Sequence, residues 1–145
     1  MALSLIKRHE SCRLEAYQDI KGIWTIGWGH TGGNVCQGLV WTQQQCDVQL
    51  ANDMAIAEHD ARYAIGDFPW LSLSDIRQAP LIDVSYNLGL PKFRKFHKMI
   101  SAVCAEDWQQ AHDQLLNSEA GKQLKERYTE DAEILLTGIA PSWFS

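Results

Sequence analysis

The chain has 145 residues, with 13 Lys and Arg against 18 Asp and Glu, a formal net charge of -5 and 46% hydrophobic residues. That length fits one compact domain that buries roughly 68% of its unfolded surface, and the acidic balance argues against nucleic acid, whose affinity comes from Lys and Arg neutralising phosphates. No run of about 18 apolar residues exists, so membrane insertion is not expected, and the short apolar start of MALSLIKRHES predicts no secretory leader and synthesis into the cytosol.

In chain order, residues 2–11 read as an amphipathic helix, with Ala2, Leu3, Leu5, Ile6 and His9 on one face. Glu10 follows Ile6 by one turn and belongs to that apolar face. Desolvation there favours a protonated, proton-donating carboxyl; the plainer alternative is a helix-end Glu paired with an Arg. Cys12 is the first of four cysteines, with Cys36, Cys46 and Cys104. No CxxC is present and no His stands at ligand spacing, so reduced, packed thiols are expected and no metal or cofactor.

Tyr17–Gly22 reads as a strand end and a turn closed by glycine. Ile23–His30 alternates, with Trp24, Ile26, Trp28 and His30 on one side and Ile23, Thr25, Gly27 and Gly29 on the other. The second face, stripped to Thr and Gly, is open to close approach, although the glycines also suit bulges. Thr42–Gln45 forms a capping box opening a helix to about Ala64, with a core stripe of Cys46, Leu50, Met54, Ala57 and Ala61. Gly66–Ser74 reads as a connection. Ser74 caps a helix to Leu88, closed by Gly89 and bent or interrupted at Pro80. Helical seams follow at Phe93, Phe96, Ile100 and Val103, at Trp108, Ala111 and Leu115, and at Leu124, Tyr128, Ala132 and Leu135.

The predicted fold is α+β, mostly α. A hairpin lobe over about 12–40 packs on a helical lobe of 1–11 and about 42–145, with a cleft between them in one domain spanning 1–145. Glu10, Asp19 and Thr25 bracket the hairpin. Two carboxylates and a hydroxyl converging on a cleft are what hydrolysis of a glycosidic bond requires: a proton donor, a second carboxylate and a group to place water.

Glu10, Asp19 and Thr25 within HESCRLEAYQDIKGIWTIGWGHT resemble the pattern of the phage-type lysozymes, glycoside hydrolase family 24, the endolysins and muramidases that open bacterial walls. The resemblance continues through LSDIRQAPLIDVSYNLG, DWQQAHDQLLNS and the closing Arg127–Gly138 segment. It implies a lysozyme-like fold and cleavage of the β-1,4 bond between N-acetylmuramic acid and N-acetylglucosamine, leading to cell lysis. It casts Glu10 as general acid, Asp19 as the carboxylate that activates water or stabilises positive charge, and Thr25 as the water holder. His30 paired with Asp53, and Arg127 against the catalytic Glu, are implied as structural support. Tyr86, Asn87 and Leu88 are implied to line the substrate cleft, Asn87 either binding sugar or capping its helix. The implied partner is the peptidoglycan strand, met in the periplasm by a monomer released from the host cytoplasm once a holin perforates the membrane. Three rival readings are a lytic transglycosylase, an inactive wall-binding module of a phage tail or toxin, and a structural helical protein, the last of which leaves the polar hairpin unexplained. The chain departs from relatives in its acidity, in Pro80, and in Glu119-Ala120 after Ser118, where a Trp is common.

Overall fold

A computed structural model describes residues 1–144. The chain enters through α1 (Ala2–His9), whose Leu5 and Ile6 are fully buried. The helix stops short of the expected 2–11: Glu10 takes extended backbone (φ -100°, ψ 135°), because the chain turns there to enter the sheet. The sheet has three antiparallel strands in the order β1 (Arg13–Gln18), β2 (Trp24–Gly27), β3 (His30–Thr31), with an isolated bridge from Glu15 to Val40. A hairpin was expected; the third strand forms because Trp28 and Gly29 reverse the chain.

β2 is the central strand, and α2 packs against it. Its neighbours cover both faces, so Thr25, Ile26 and Gly27 are all buried. The expected alternation of a covered and an open face therefore fails at its middle. The glycine positions do receive close neighbours. A Cβ on Gly27 would lie 3.4 Å from Cys46 Sγ, and one on Gly29 would lie 2.8 Å from Glu10 Oε2.

The remainder is helical. α2 (Gln43–Ile65) opens on a complete capping box: Thr42 Oγ1 accepts from the Gln45 amide, and the Gln45 side chain accepts from the Thr42 amide. α3 (Asp67–Ser72) occupies the segment expected to be a plain connection; Trp70, buried beneath it, anchors that single turn. α4 (Asp75–Leu88) is capped by Ser74 and runs through Pro80 without a break. Pro80 is buried and donates no amide hydrogen, so burial of Ala79, Leu81, Ile82 and Val84 holds the helix across the missing bond. The seam expected from Phe93 to Val103 divides into α5 (Leu90–Phe93) and α6 (His97–Cys104), with Phe96 at the joint. After α7 (Trp108–Leu116) comes a short α8 (Glu119–Gln123) that was not expected, and the expected closing helix forms as α9 (Lys125–Thr137) between Leu124 and Gly138.

α4 lies at the centre, packed on α1, α2 and α9, while α7 packs on α6 and α9. Leu50, Leu81, Val84, Phe93, Met99, Leu115, Tyr128 and Leu135 fill the space between them. Arg77, at the start of α4, donates from Nε to the Leu135 carbonyl at 2.8 Å and from Nη2 to that of Leu136 at 3.0 Å. It thereby satisfies two terminal acceptors of α9. Glu10 thus leaves the end of α1 directly above the junction of α4 and α9, which is where the polar interior of the molecule lies.

Candidate active site

Glu10 is three-quarters covered, its side chain 22% exposed. Oε1 accepts from Arg127 Nη1 at 2.8 Å, and Oε2 lies 2.8 Å from where a Cβ on Gly29 would stand. Arg127 comes from α9 and is itself buried. Its Nε and Nη2 donate to the two oxygens of Asp83 on α4, at 2.8 and 2.7 Å. Burial works against the Arg127 charge, but the two carboxylates outweigh it and hold the guanidinium above even its usual range.

Asp19 is half-buried at the hairpin turn. Its Oδ1 accepts from the amides of Lys21 and Ile23 at 2.8 and 2.9 Å, and Gly22 closes the turn at φ +80°. The side chain is thus locked by its own loop, as an Asx turn requires. Thr25 is 4% exposed rather than open, and its hydroxyl donates to the Ile23 carbonyl at 2.9 Å. The proton of that hydroxyl is therefore spent, and what Thr25 has left to offer a water is its lone pairs.

Tyr17 stands on β1 beside Thr25. It is the cross-strand partner of Thr25 in the β1–β2 register, which puts the two side chains on one face. Burial raises its phenol, and the charges of Glu10 and Asp19 raise it further, against Arg13. Tyr17 was visible in the sequence only as part of a motif. Asp83 and Asp131, discussed below, were missed altogether.

The supporting residues occupy definite positions. His30 Nδ1 meets Asp53 Oδ2 at 2.6 Å, while Asp53 Oδ1 accepts from Gln49. This ties β3 to α2. Tyr86 donates to the Trp28 carbonyl at 2.6 Å, and burial raises its phenol. With Gly29, His30, Thr31 and Asp53, it lines a cavity of about 350 Å³. Asn87 Oδ1 accepts from the Tyr128 hydroxyl at 2.9 Å. Asn87 and Leu88 line a second cavity of about 450 Å³, shared with Lys21, Lys92, Glu119 and Ala120. The lining of these two cavities does not include Glu10, Asp19 or Thr25. They flank those residues: one opens at Gly29, against which Glu10 rests, and the other at Lys21, two residues beyond Asp19. Among the described residues, no group of His, Cys, Asp and Glu could hold a metal ion, and the four cysteines are unpaired.

A small antiparallel sheet against a helical body, with a buried-arginine-held glutamate where α1 meets the sheet, defines a lysozyme-like α+β protein. The chain belongs to the phage lysozyme family, whose model matches residues 7–129. It is 31% identical over 128 residues to a SAR-endolysin of Enterobacteria phage PA-2, covering 84% of this chain and 74% of that protein. An endolysin of Lactococcus phage c2 is 50% identical over 54 residues, 36% of this chain, and the matched part spans only 23% of the phage protein. The pre-baseplate central spike protein Gp5 of Enterobacteria phage T4 is 25% identical over 162 residues, covering 96% of this chain and 28% of that protein.

Proposed function

We propose that the protein is a peptidoglycan hydrolase, a muramidase that cleaves the β-1,4 bond from N-acetylmuramic acid to N-acetylglucosamine. The observation that carries this reading is the seating of Glu10: a largely covered carboxyl, held on one oxygen by Arg127 and set against a glycine that leaves it room. In this reading Glu10 protonates the leaving oxygen. Asp19, immobilised by two amides, offers a fixed negative charge to the anomeric carbon and to the attacking water. Thr25 accepts a hydrogen from that water, since its own proton is engaged. Water placed opposite the leaving group gives inversion. Glycan runs past Tyr86 and Asn87–Leu88 in the two flanking cavities, with His30–Asp53 and Arg127 as framework. Lys21 and Lys92 bring positive charge to a groove in a chain of net charge -5.

The same reading makes the protein a single lysozyme domain that acts as a monomer. No helix among the described residues is long and apolar enough to cross a membrane. Release from the host cytoplasm to the periplasmic wall through a holin-made opening is part of the same proposal.

Purified murein digested by the protein in H₂¹⁸O tests the chemistry. Hydrolysis gives reducing N-acetylmuramic ends that carry ¹⁸O. A 1,6-anhydro end would convict the transglycosylase reading, and no release at all would leave a binding module. Glu10→Gln should cut the clearing of permeabilised cells by at least about a hundredfold, because the amide donates no proton to the leaving group. A folded variant that clears normally would end the acid assignment.

A further inference from the structure

Beneath Glu10 the polar chain continues into the core. Arg127 holds Glu10 with one nitrogen and Asp83 with two, and Asp83 is fully buried. Behind Asp83 stands a second fully buried carboxyl, Asp131, one turn along α9 from Arg127. Neither Asp131 oxygen finds a donor among the described residues. The group it faces is the Asp83 carboxylate, which is also an acceptor and already committed to the guanidinium. Two buried acceptors in contact hold together only when one carries a proton, and Asp83 is the one bound to the cation.

We propose that Asp83, backed by the buried Asp131, is a positioning residue that grips the Arg127 guanidinium and absorbs most of its charge, so that the arginine orients Glu10 and leaves it able to act as the acid. This rests on the reading of Glu10 as general acid.

The charge count supports it. Without Asp83, a buried cation would have Glu10 as its direct counter-ion. A lone opposite charge at hydrogen-bond distance favours the ionised carboxylate by about 1–3 pH units. With Asp83 holding two of the three nitrogens in a fork, the balance falls on the far side of the guanidinium from Glu10. Asp131 adds no second negative charge as long as it is neutral. Burial first, and then the Asp83 charge, hold it well above the ordinary carboxylate range, outweighing Arg127. The other titratable neighbours are His9 at the end of α1, 3.1 Å from Glu130 Oε2, Tyr17 and Asp19 on the sheet side, Asp53 on α2, Tyr86 on α4, and Tyr128 and Glu130 on α9. The three phenols are all raised, by burial first, and stay neutral through the working range. Glu130 is held low by its bond to Arg8 and does not change charge near neutrality.

The test is the pH profile of murein cleavage together with the carboxyl ¹³C spectrum of the whole protein. Asp83→Asn should displace the alkaline limb of the rate to lower pH by about one unit, lowering the rate above it about tenfold. Asp131→Asn exchanges one neutral group for another and should leave the limb where the parent has it. In the parent, the Asp131 carbon should resonate as a carboxylic acid at pH 7. An unmoved limb in folded Asp83→Asn, a moved limb in Asp131→Asn, or a carboxylate signal from Asp131 would each overturn the proposal. Should Asp83→Asn not fold, the last two measurements decide. Glu10→Gln separates the two levels: if it clears cells, the acid reading itself fails, whereas an inactive Glu10→Gln beside an unmoved Asp83→Asn limb removes only this inference.

Discussion

Gly29→Ala is the substitution on which the site makes its sharpest demand. Gly29 sits at φ +83°, and an added Cβ would stand 2.8 Å from Glu10 Oε2 and 3.1 Å from its Cδ. Two costs separate cleanly. The left-handed backbone costs an L-residue about 1–2 kcal/mol. For 145 residues, an unfolding entropy of roughly 0.3 kcal/mol/K converts this into a Tm loss of about 3–6 °C. The second cost is positional. To reach an ordinary contact of about 3.4 Å, the Glu10 carboxyl must retreat about 0.6 Å from 2.8 Å, while Arg127 holds its other oxygen. Misplacement of a reacting group by about 1 Å costs about a hundredfold, so a loss on the order of tenfold is expected. Gly38→Ala serves as the strain control, because φ is +88° there and nothing lies within 4 Å. It should lose the same few degrees and keep its activity. Gly33→Ala, with ordinary φ and open space, should change neither. Melting by circular dichroism and clearing of permeabilised cells read the two quantities. If Gly29→Ala melts like Gly38→Ala and clears like the parent, the contact between glycine and acid has no role.

Asp131→Asn should stabilise the fold in a pH-dependent way. The folded carboxyl is raised, so above the unfolded value of about 3.9 the unfolded chain binds fewer protons than the folded one, and the parent loses about 1.4 kcal/mol per pH unit until Asp131 ionises. The Tm advantage of the variant should widen from pH 4 to pH 7; a constant gap would mean that Asp131 is not neutral in the fold. Gly121→Ala puts a Cβ 2.2 Å from the Leu115 carbonyl oxygen and 2.9 Å from that of Leu116, so a loss of about 3 kcal/mol is expected in denaturant unfolding, and a loss under about 1 would show that the α7–α8 corner yields. Under native conditions, iodoacetamide should label the exposed Cys36 and Cys104 well before Cys46, which is 1% exposed and whose thiol burial pushes up to about 11. Early labelling of Cys46 in a mass-spectrometric time course would contradict its place beneath Gly27.

What could be read from residues alone was what is local. The Thr42 capping box and the Ser74 cap depend on side chains three residues from the amides they satisfy, and both form as written. The Asp19 turn is local in the same way. Periodicity failed where an element is too short to show a period: α3, α5 and α8 are single turns whose existence depends on what Trp70, Phe93 and Gly121 are buried against. It also failed for Thr25, since a two-residue alternation does not say that a strand will be central and covered on both faces. Asp83 and Asp131 looked like ordinary helical polar residues. Their meaning lies in a partner 44 residues away in one case and in the other carboxyl in the second. A run such as LIDVSY, where an acid interrupts an apolar stretch, was the one available signal.

The bond from Arg127 to Glu10 closes a loop of 117 residues. Every residue assigned to bond cleavage is present in the first quarter of the chain, yet the group that seats the acid arrives near the end. A ribosome carrying a partly made copy therefore displays Glu10 without the Arg127 guanidinium that holds it. A copy cut before Arg127 lacks the group that holds Glu10, so the seat of the proposed acid depends on a residue more than a hundred positions downstream of it.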